Sequence, residues 1–150
     1  MPIAKARAAA LPTSPDDVEA QFYEALQQAD LAKLMSVWSD DDDIACVHPG
    51  GPRVLGHAAI RASFEAIFAN GAIPLQPQGV RRLQTLGCAV HHLVEHVSIS
   101  DVQGSRSAWV LATNVYVKTA QGWRMVAHHA SPGSEPAEMA ASGETPSTLH

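Results

Sequence analysis

Gly122-Trp123-Arg124-Met125-Val126-Ala127-His128-His129-Ala130-Ser131 closes the strand-like second half of this chain. A short turn, Thr119-Ala120-Gln121-Gly122, joins it to the run from Trp109 to Lys118. Apolar and polar residues alternate along both runs, the pattern of a half-buried hairpin. With the turn centred on Ala120-Gln121, Lys118 falls opposite Trp123, Tyr116 opposite Met125, Asn114 opposite Ala127 and Ala112 opposite His129. Successive side chains on a strand point to opposite faces. Asn114 and His129 are therefore expected on one face, and His128, beside Thr113, on the other.

The preceding turn lies near Gln103-Gly104. Centred there, it puts Ala112 opposite Glu95 and Asn114 opposite Leu93, so that Glu95, Ala112 and His129 form one row across three strands. The alternative parity moves Glu95 to the other face. In the first arrangement His92 and His96 lie on the face opposite Glu95. Val80 to Thr85 and Ala89 to Ser100 also read as strands.

The first half is helical. Ser14 before Pro15-Asp16-Asp17 supplies a capping hydroxyl, a proline suited to the first helical position and acids at the positive helix end. A helix is expected from Pro15 to Ala29, with Val18, Phe22, Ala25 and Leu26 as its apolar face. Asp30 caps a second helix over Leu31 to Trp38. A third runs from Gly56 to Asn70 and buries Ile60, Phe64, Ile67 and Phe68. Ile44 to His48 is a short strand stopped by Pro49-Gly50-Gly51-Pro52, with Val54-Leu55-Gly56 as its partner. Asp40 to Asp43 is a loop, because four adjacent carboxylates repel one another. Helices followed by an antiparallel meander make the fold class α+β, with the helices on one face of the sheet.

The 150 residues suit one domain, and 46% hydrophobic with 17% charged residues is a globular composition. Residues 1–14 read as a flexible arm, 15–131 as the domain and 132–150 as a flexible tail rich in Pro, Gly, Ser, Thr and Glu. The net charge of −5 comes without a Lys/Arg cluster, so no nucleic-acid partner is expected. No apolar run approaches the roughly 18 residues of a membrane span, and the short Ala runs after Lys5 and Arg7 do not make a signal-peptide core. Cys46 and Cys88 sit in apolar stretches and read as buried free thiols, although a disulfide is compatible with the sequence. A cytoplasmic location is expected.

Several polar residues carry the chemistry. A buried Glu95–His129 pair can serve as an acid/base unit, since burial raises a carboxyl pKa and an imidazole lowers it again. The same pair can equally be a structural hydrogen-bonded unit. Asn114 lies in the middle of an apolar strand and needs partners there. His48 ends a strand before a glycine-rich loop, where it either meets a ligand or bonds the loop. Trp38 precedes the acidic loop and is expected at a cavity mouth. Metal is not expected: His92 and His96 stand about 13 Å apart on a strand, and no Cys-x-x-Cys or His-Glu-x-x-His motif occurs. No Gly-x-Ser-x-Gly elbow and no glycine-rich phosphate loop is present, so neither a serine hydrolase nor a nucleotide cofactor is indicated.

Three segments together resemble the nuclear-transport-factor-two-like superfamily and its SnoaL-like, ketosteroid-isomerase-like group. They are Ile44 to Gly51 with Gly56 to Arg61 and Phe64, then Val94-Glu95-His96-Val97, then Ala112 to Val117 with Gly122 to Val126 and His128 to Ser131. The resemblance implies a cystatin-like α+β roll: a cone-shaped, strongly curved antiparallel sheet wrapped by about three helices, with a pocket between. It also implies a homodimer through the outer face of the sheet, with His92, His96 and His128 near that interface. The ligand implied is a small apolar molecule bearing a carbonyl or hydroxyl, handled without a cofactor. The catalytic candidates are His129 as acid or base and Glu95 as its orienting partner; the ligand contacts are Asn114, His48, Trp38 and Tyr116. Any reaction would be an isomerase-, cyclase- or dehydratase-like proton transfer. The alternative is an assembly module with a vestigial pocket, because kinase association domains of this fold share the Cys-x-x-Pro pattern seen in Cys46-Val47-His48-Pro49.

Overall fold

The computed structural model describes residues 12–137. Local signals start the helices where the sequence places them. The Ser14 hydroxyl accepts the Asp17 N–H at 3.1 Å and opens α1, Pro15–Gln28. Ala29 turns the chain in the left-handed region, φ 53°. Asp30 then accepts the Lys33 N–H at 3.0 Å and opens α2, Leu31–Ser36. That helix ends two residues earlier than expected, because Trp38 leaves it to bridge Met125.

Two short strands follow, β1 (Ala45–Val47) and β2 (Arg53–Leu55), then α3 (His57–Phe68). The chain finishes with β3 (Leu75–Gln84), β4 (Cys88–Asp101), β5 (Gly104–Thr119) and β6 (Gly122–Pro132). The strands form one curled, unclosed sheet in the order β2-β1-β6-β5-β4-β3. One pairing departs from the expected antiparallel sheet: β1 runs parallel to β6. β3 begins well before the expected Val80. It carries Pro77 and breaks register between Gln78 and Arg81, where Gly79 takes φ 63°.

The core lies between the helices and the inner face of the sheet. Val18, Phe22, Tyr23, Ala25 and Leu26 of α1 and Ile60 and Phe64 of α3 are buried there. Phe22 sits at the centre, its ring 5.0 Å from Tyr23, 6.1 Å from Phe64 and 6.5 Å from Trp38.

The β5–β6 hairpin begins in the expected register, with Lys118 opposite Trp123 and Tyr116 opposite Met125. It then breaks. Val115 pairs with Ala127, so Val126 is an extra residue in β6, a β-bulge. One inserted residue flips every later side chain to the other face. Asn114 therefore faces His128, while His129 lies opposite Thr113 on the outer face and is exposed. The expected pairing of Asn114 with Ala127 and of Ala112 with His129 is overturned. So is the expected place of His128 near the outer face.

The β4–β5 turn is centred one residue earlier than expected, with Asp101 opposite Gly104. Register shifts by two residues and parity is kept. Ala112 meets Leu93 rather than Glu95, but Glu95 stays on the inner face with Asn114.

Backbone contacts are made just outside residues 15–131 at both ends. Pro12 is buried and its carbonyl accepts the Trp123 N–H at 3.3 Å; Gly133 donates to the Trp109 carbonyl at 2.8 Å. Residues 1–11 and 138–150, most of the expected arm and tail, lie outside the described residues. Cys46 and Cys88 are free thiols. No described helix is long and apolar enough to cross a membrane.

Candidate functional site

The inner face gathers four polar side chains from α1, β4, β5 and β6 into a closed chain of contacts. Tyr23 donates from its hydroxyl to Glu95 Oε2 at 2.8 Å, and Asn114 donates from Nδ2 to the Tyr23 hydroxyl at 3.0 Å. That orientation leaves Asn114 Oδ1 to accept from His128 Nδ1, 2.6 Å away. The other ring nitrogen, His128 Nε2, faces Glu95 Oε2 across 3.9 Å. All four residues are at most 5% exposed.

Burial pushes the Glu95 carboxyl up to about 7, against the downward pull of the Tyr23 hydroxyl. It drives His128 down to about 3, helped by the charges of His48 and His129. The 3.9 Å contact is therefore not an ion pair at neutral pH: the ring is uncharged and the distance exceeds a hydrogen bond. A neutral imidazole donating from Nδ1 keeps a lone pair at Nε2, beside a carboxyl poised between its two states.

A second buried cluster adjoins the first. His91, directly across the strand from Asn114, donates from Nδ1 to Glu19, and the Tyr116 hydroxyl lies 3.4 Å from the same carboxylate oxygen. Burial raises the Tyr116 hydroxyl far above its ordinary range, with the Glu19 charge adding to the effect. His91 Nε2 is buried without a partner.

The expected site residues separate into those the fold converges and those it disperses. Glu95 and Asn114 meet. His129 does not join them, and His128 takes its place because of the bulge at Val126. Tyr116 belongs to the Glu19 cluster. His48 is half-buried: its Nε2 lies 3.0 Å from the Ser63 hydroxyl and 3.8 Å from Cys46 Sγ, and its ring meets Phe64 edge-on at 4.8 Å. Burial lowers its pKa. The neighbouring Cys46 thiol is pushed up to about 12 by burial and the Glu95 charge, which leaves it a poor nucleophile. Trp38 is core, with its Nε1 unpartnered. Asp40 to Asp43 are exposed.

Sequence reading missed Tyr23, Glu19 and His91. Glu19 and Tyr23 are four residues apart on α1, flanking its apolar stripe. That spacing puts them on one helix face, and it was the available signal.

Three clefts stand out, and none is lined by Glu95, Asn114 or His128. One of about 410 Å³ lies beside Trp38, His57 and Arg124. Another of about 420 Å³ is on the outer face, at Arg81, His92, Thr113 and His129. The third, of about 440 Å³, is at Ile73 and Pro74. The Phe22 ring lies 5.0 Å from the His128 ring, tilted 50° to it, and Phe64 adjoins Phe22, so aromatic rings pack over the polar network. Among the described residues no group of three or more His, Cys, Asp or Glu side chains is placed to hold a metal ion.

Residues 16–135 match the family model described as SnoaL-like domain. Among solved structures, a candidate calcium/calmodulin-dependent protein kinase type II association domain from Thiobacillus denitrificans is 36% identical with a TM-score of 0.76, the match covering 83% of this chain and 99% of that one. A candidate dehydratase of the nuclear-transport-factor-two-like family from Streptomyces avermitilis is 29% identical with a TM-score of 0.69, over 79% of this chain and 93% of that one. A ketosteroid isomerase-like protein from Erwinia carotovora atroseptica, 15% identical with a TM-score of 0.64 over 80% and 94%, shares the fold. No curated protein matches the sequence.

Proposed function

Since this chain belongs to the SnoaL-like family of the nuclear-transport-factor-two-like superfamily, we propose that its inner face binds a small apolar molecule through a carbonyl or hydroxyl oxygen and moves a proton on it. The observation that supports this reading is the gap between Glu95 Oε2 and His128 Nε2. At 3.9 Å the two atoms do not bond each other, yet a ligand hydroxyl beside them can donate to the His128 Nε2 lone pair, and a ligand carbonyl can accept from Glu95 in its acid form. Asn114 and Tyr23 hold the two groups in register. Glu95 is the base in this reading: as carboxylate it takes a proton from the carbon next to a carbonyl, and as acid it returns that proton. A carboxyl titrating near 7 suits both halves of the exchange.

Entry requires the aromatic cover to open. Phe22, Phe64 and the half-buried His48 form a continuous contact from His128 to the edge of the helical layer. The test is a thermal-shift screen with small apolar ketones and alcohols at pH 7. Wild type should be stabilised by some of them. Glu95→Gln and Asn114→Ala should each weaken that binding about tenfold, the worth of one good hydrogen bond. A panel that leaves wild-type melting unmoved from pH 5 to 8 defeats the reading.

A second reading concerns the outer face. The relative sharing 36% identity is described as an association domain. The outer face here carries Val90, Val94, Val115 and Leu111, the last 47% exposed. We propose that a second copy of the chain covers it, as apolar patches of this kind mark contact surfaces.

A further inference from the structure

One row of directly opposed residues crosses the outer face from edge to edge: Arg53, Val47, His129, Thr113, His92 and Arg81, one from each strand. His92 Nδ1 lies 3.1 Å from the Thr113 hydroxyl, and the middle of the row lines the 420 Å³ cleft. Apolar residues flank it, with Val90 and Val115 on one side and Val94 and Leu111 on the other.

Among the described strand residues, the charges on this face have one sign. The six strands hold two carboxylates, Glu95, which is inside, and Asp101, which is paired with Arg106 at the β4–β5 turn. The remaining charged or titratable strand residues on the face are Arg53, Arg81, Arg124, His92, His129, His96 and Cys88, and Arg124 shares the 410 Å³ cleft with Asp40. His96 is stacked on Trp109 at 4.2 Å and bonded to Ser107.

We infer that this row makes the contact between two copies sensitive to acid: the contact forms while His92 and His129 are uncharged and opens when they take up protons. The inference rests on the second-copy reading above. Two-fold contact brings the same surface of each copy together, so arginine-ended rows face each other, and the described strands put no carboxylate among them. Neutral imidazoles among valines and leucines lose little on leaving water. Protonated ones must be desolvated beside fixed like charges. The two fixed charges of the row become four in each copy when both rings are protonated. Imidazoles make that change between about pH 5 and 8.

The dimer dissociation constant is to be measured by sedimentation velocity from pH 8 to pH 5, with near-UV circular dichroism reporting the fold. The expected result is a dimer at pH 8 whose Kd rises by about 100-fold or more at pH 5. His92→Gln/His129→Gln should keep the dimer at pH 8 and lose most of that rise. Glu95→Gln, on the opposite face, should retain it, which separates the row from the buried carboxyl. A monomer at pH 8 removes the second-copy reading and this inference with it. An equally tight dimer at pH 5, or an undiminished rise in the double variant, overturns this inference alone. If the fold is lost before pH 5, the slope of log Kd against pH between 8 and 6 decides: a flat line refutes the inference.

Discussion

On the inner side of β4, His91 is fully buried and Glu95 is 5% exposed; on the outer side of the same strand, His92 is open to water. The hairpin partners repeat the contrast, with Asn114 and His128 inside and Thr113 and His129 outside. Both faces present imidazoles next to side-chain hydrogen-bonding groups. Inside, desolvation moves Glu95 up and His128 down by more than two pH units each, so that both are neutral over part of the physiological range. Outside, the described strands set arginines and histidines on an apolar face with no carboxylate among them. Residue type is shared; what packs over each face sets the chemistry.

The largest expected effect comes from removing that packing. Phe22→Ala should cost about 3–5 kcal/mol in urea unfolding, because Phe22 is fully buried among Tyr23, Trp38, Phe64 and His128. A loss under about 1 kcal/mol would mean that the cover over the polar network is loose.

Next is the pH dependence of the buried pair. The folded pKa of Glu95, about 7, lies above its ordinary 4.5. Its contribution to stability is therefore full below about 4.5 and lost as pH rises through 7. His128 has the opposite sign: its folded pKa, about 3, lies below 6.5, so stability falls as pH drops from 6.5 toward 3. Between 4.5 and 6.5 the two slopes oppose each other. Glu95→Gln should stabilise the fold at pH 8 by about 3–4 kcal/mol, taking about 1.4 kcal/mol per pH unit over the rise from 4.5 to about 7. It should also unmask a stability that rises with pH. His128→Gln should unmask the reverse slope. Denaturation midpoints across pH 4.5–8 read both, and parallel profiles for the two variants would break the contrast between the faces.

The smallest effect belongs to the outer face. His92→Gln should leave fold stability at pH 8 within about 0.5 kcal/mol of wild type in the same unfolding assay. A larger loss would show that the outer imidazole is structurally engaged beyond Thr113.

Much of this architecture could be read from local signals. Ser14 and Asp30 start their helices, and Tyr116 meets Met125 in the expected hairpin register. Glu95 and Asn114 share the inner face as expected. The errors have definite causes. Val126 looks like any strand residue, yet it is the one that the sheet leaves unpaired, and it exchanges the roles of His128 and His129. The β4–β5 turn is one residue earlier than its glycine suggested, which slides Glu95 away from Ala112. Tyr23 and Glu19 stand beside the apolar stripe of α1, and a helix periodicity does not tell which flank the sheet will cover.

Residue order alone decided the succession of helices and strands, the starts of α1 and α2 and the α+β class. Those depend on caps, turn residues and periodicities that act within a few positions along the chain. Tertiary structure alone decided which imidazole enters the polar network and where its proton rests. A bulge is settled by how the curled sheet meets the helices over it, and a pKa by how completely those helices exclude water.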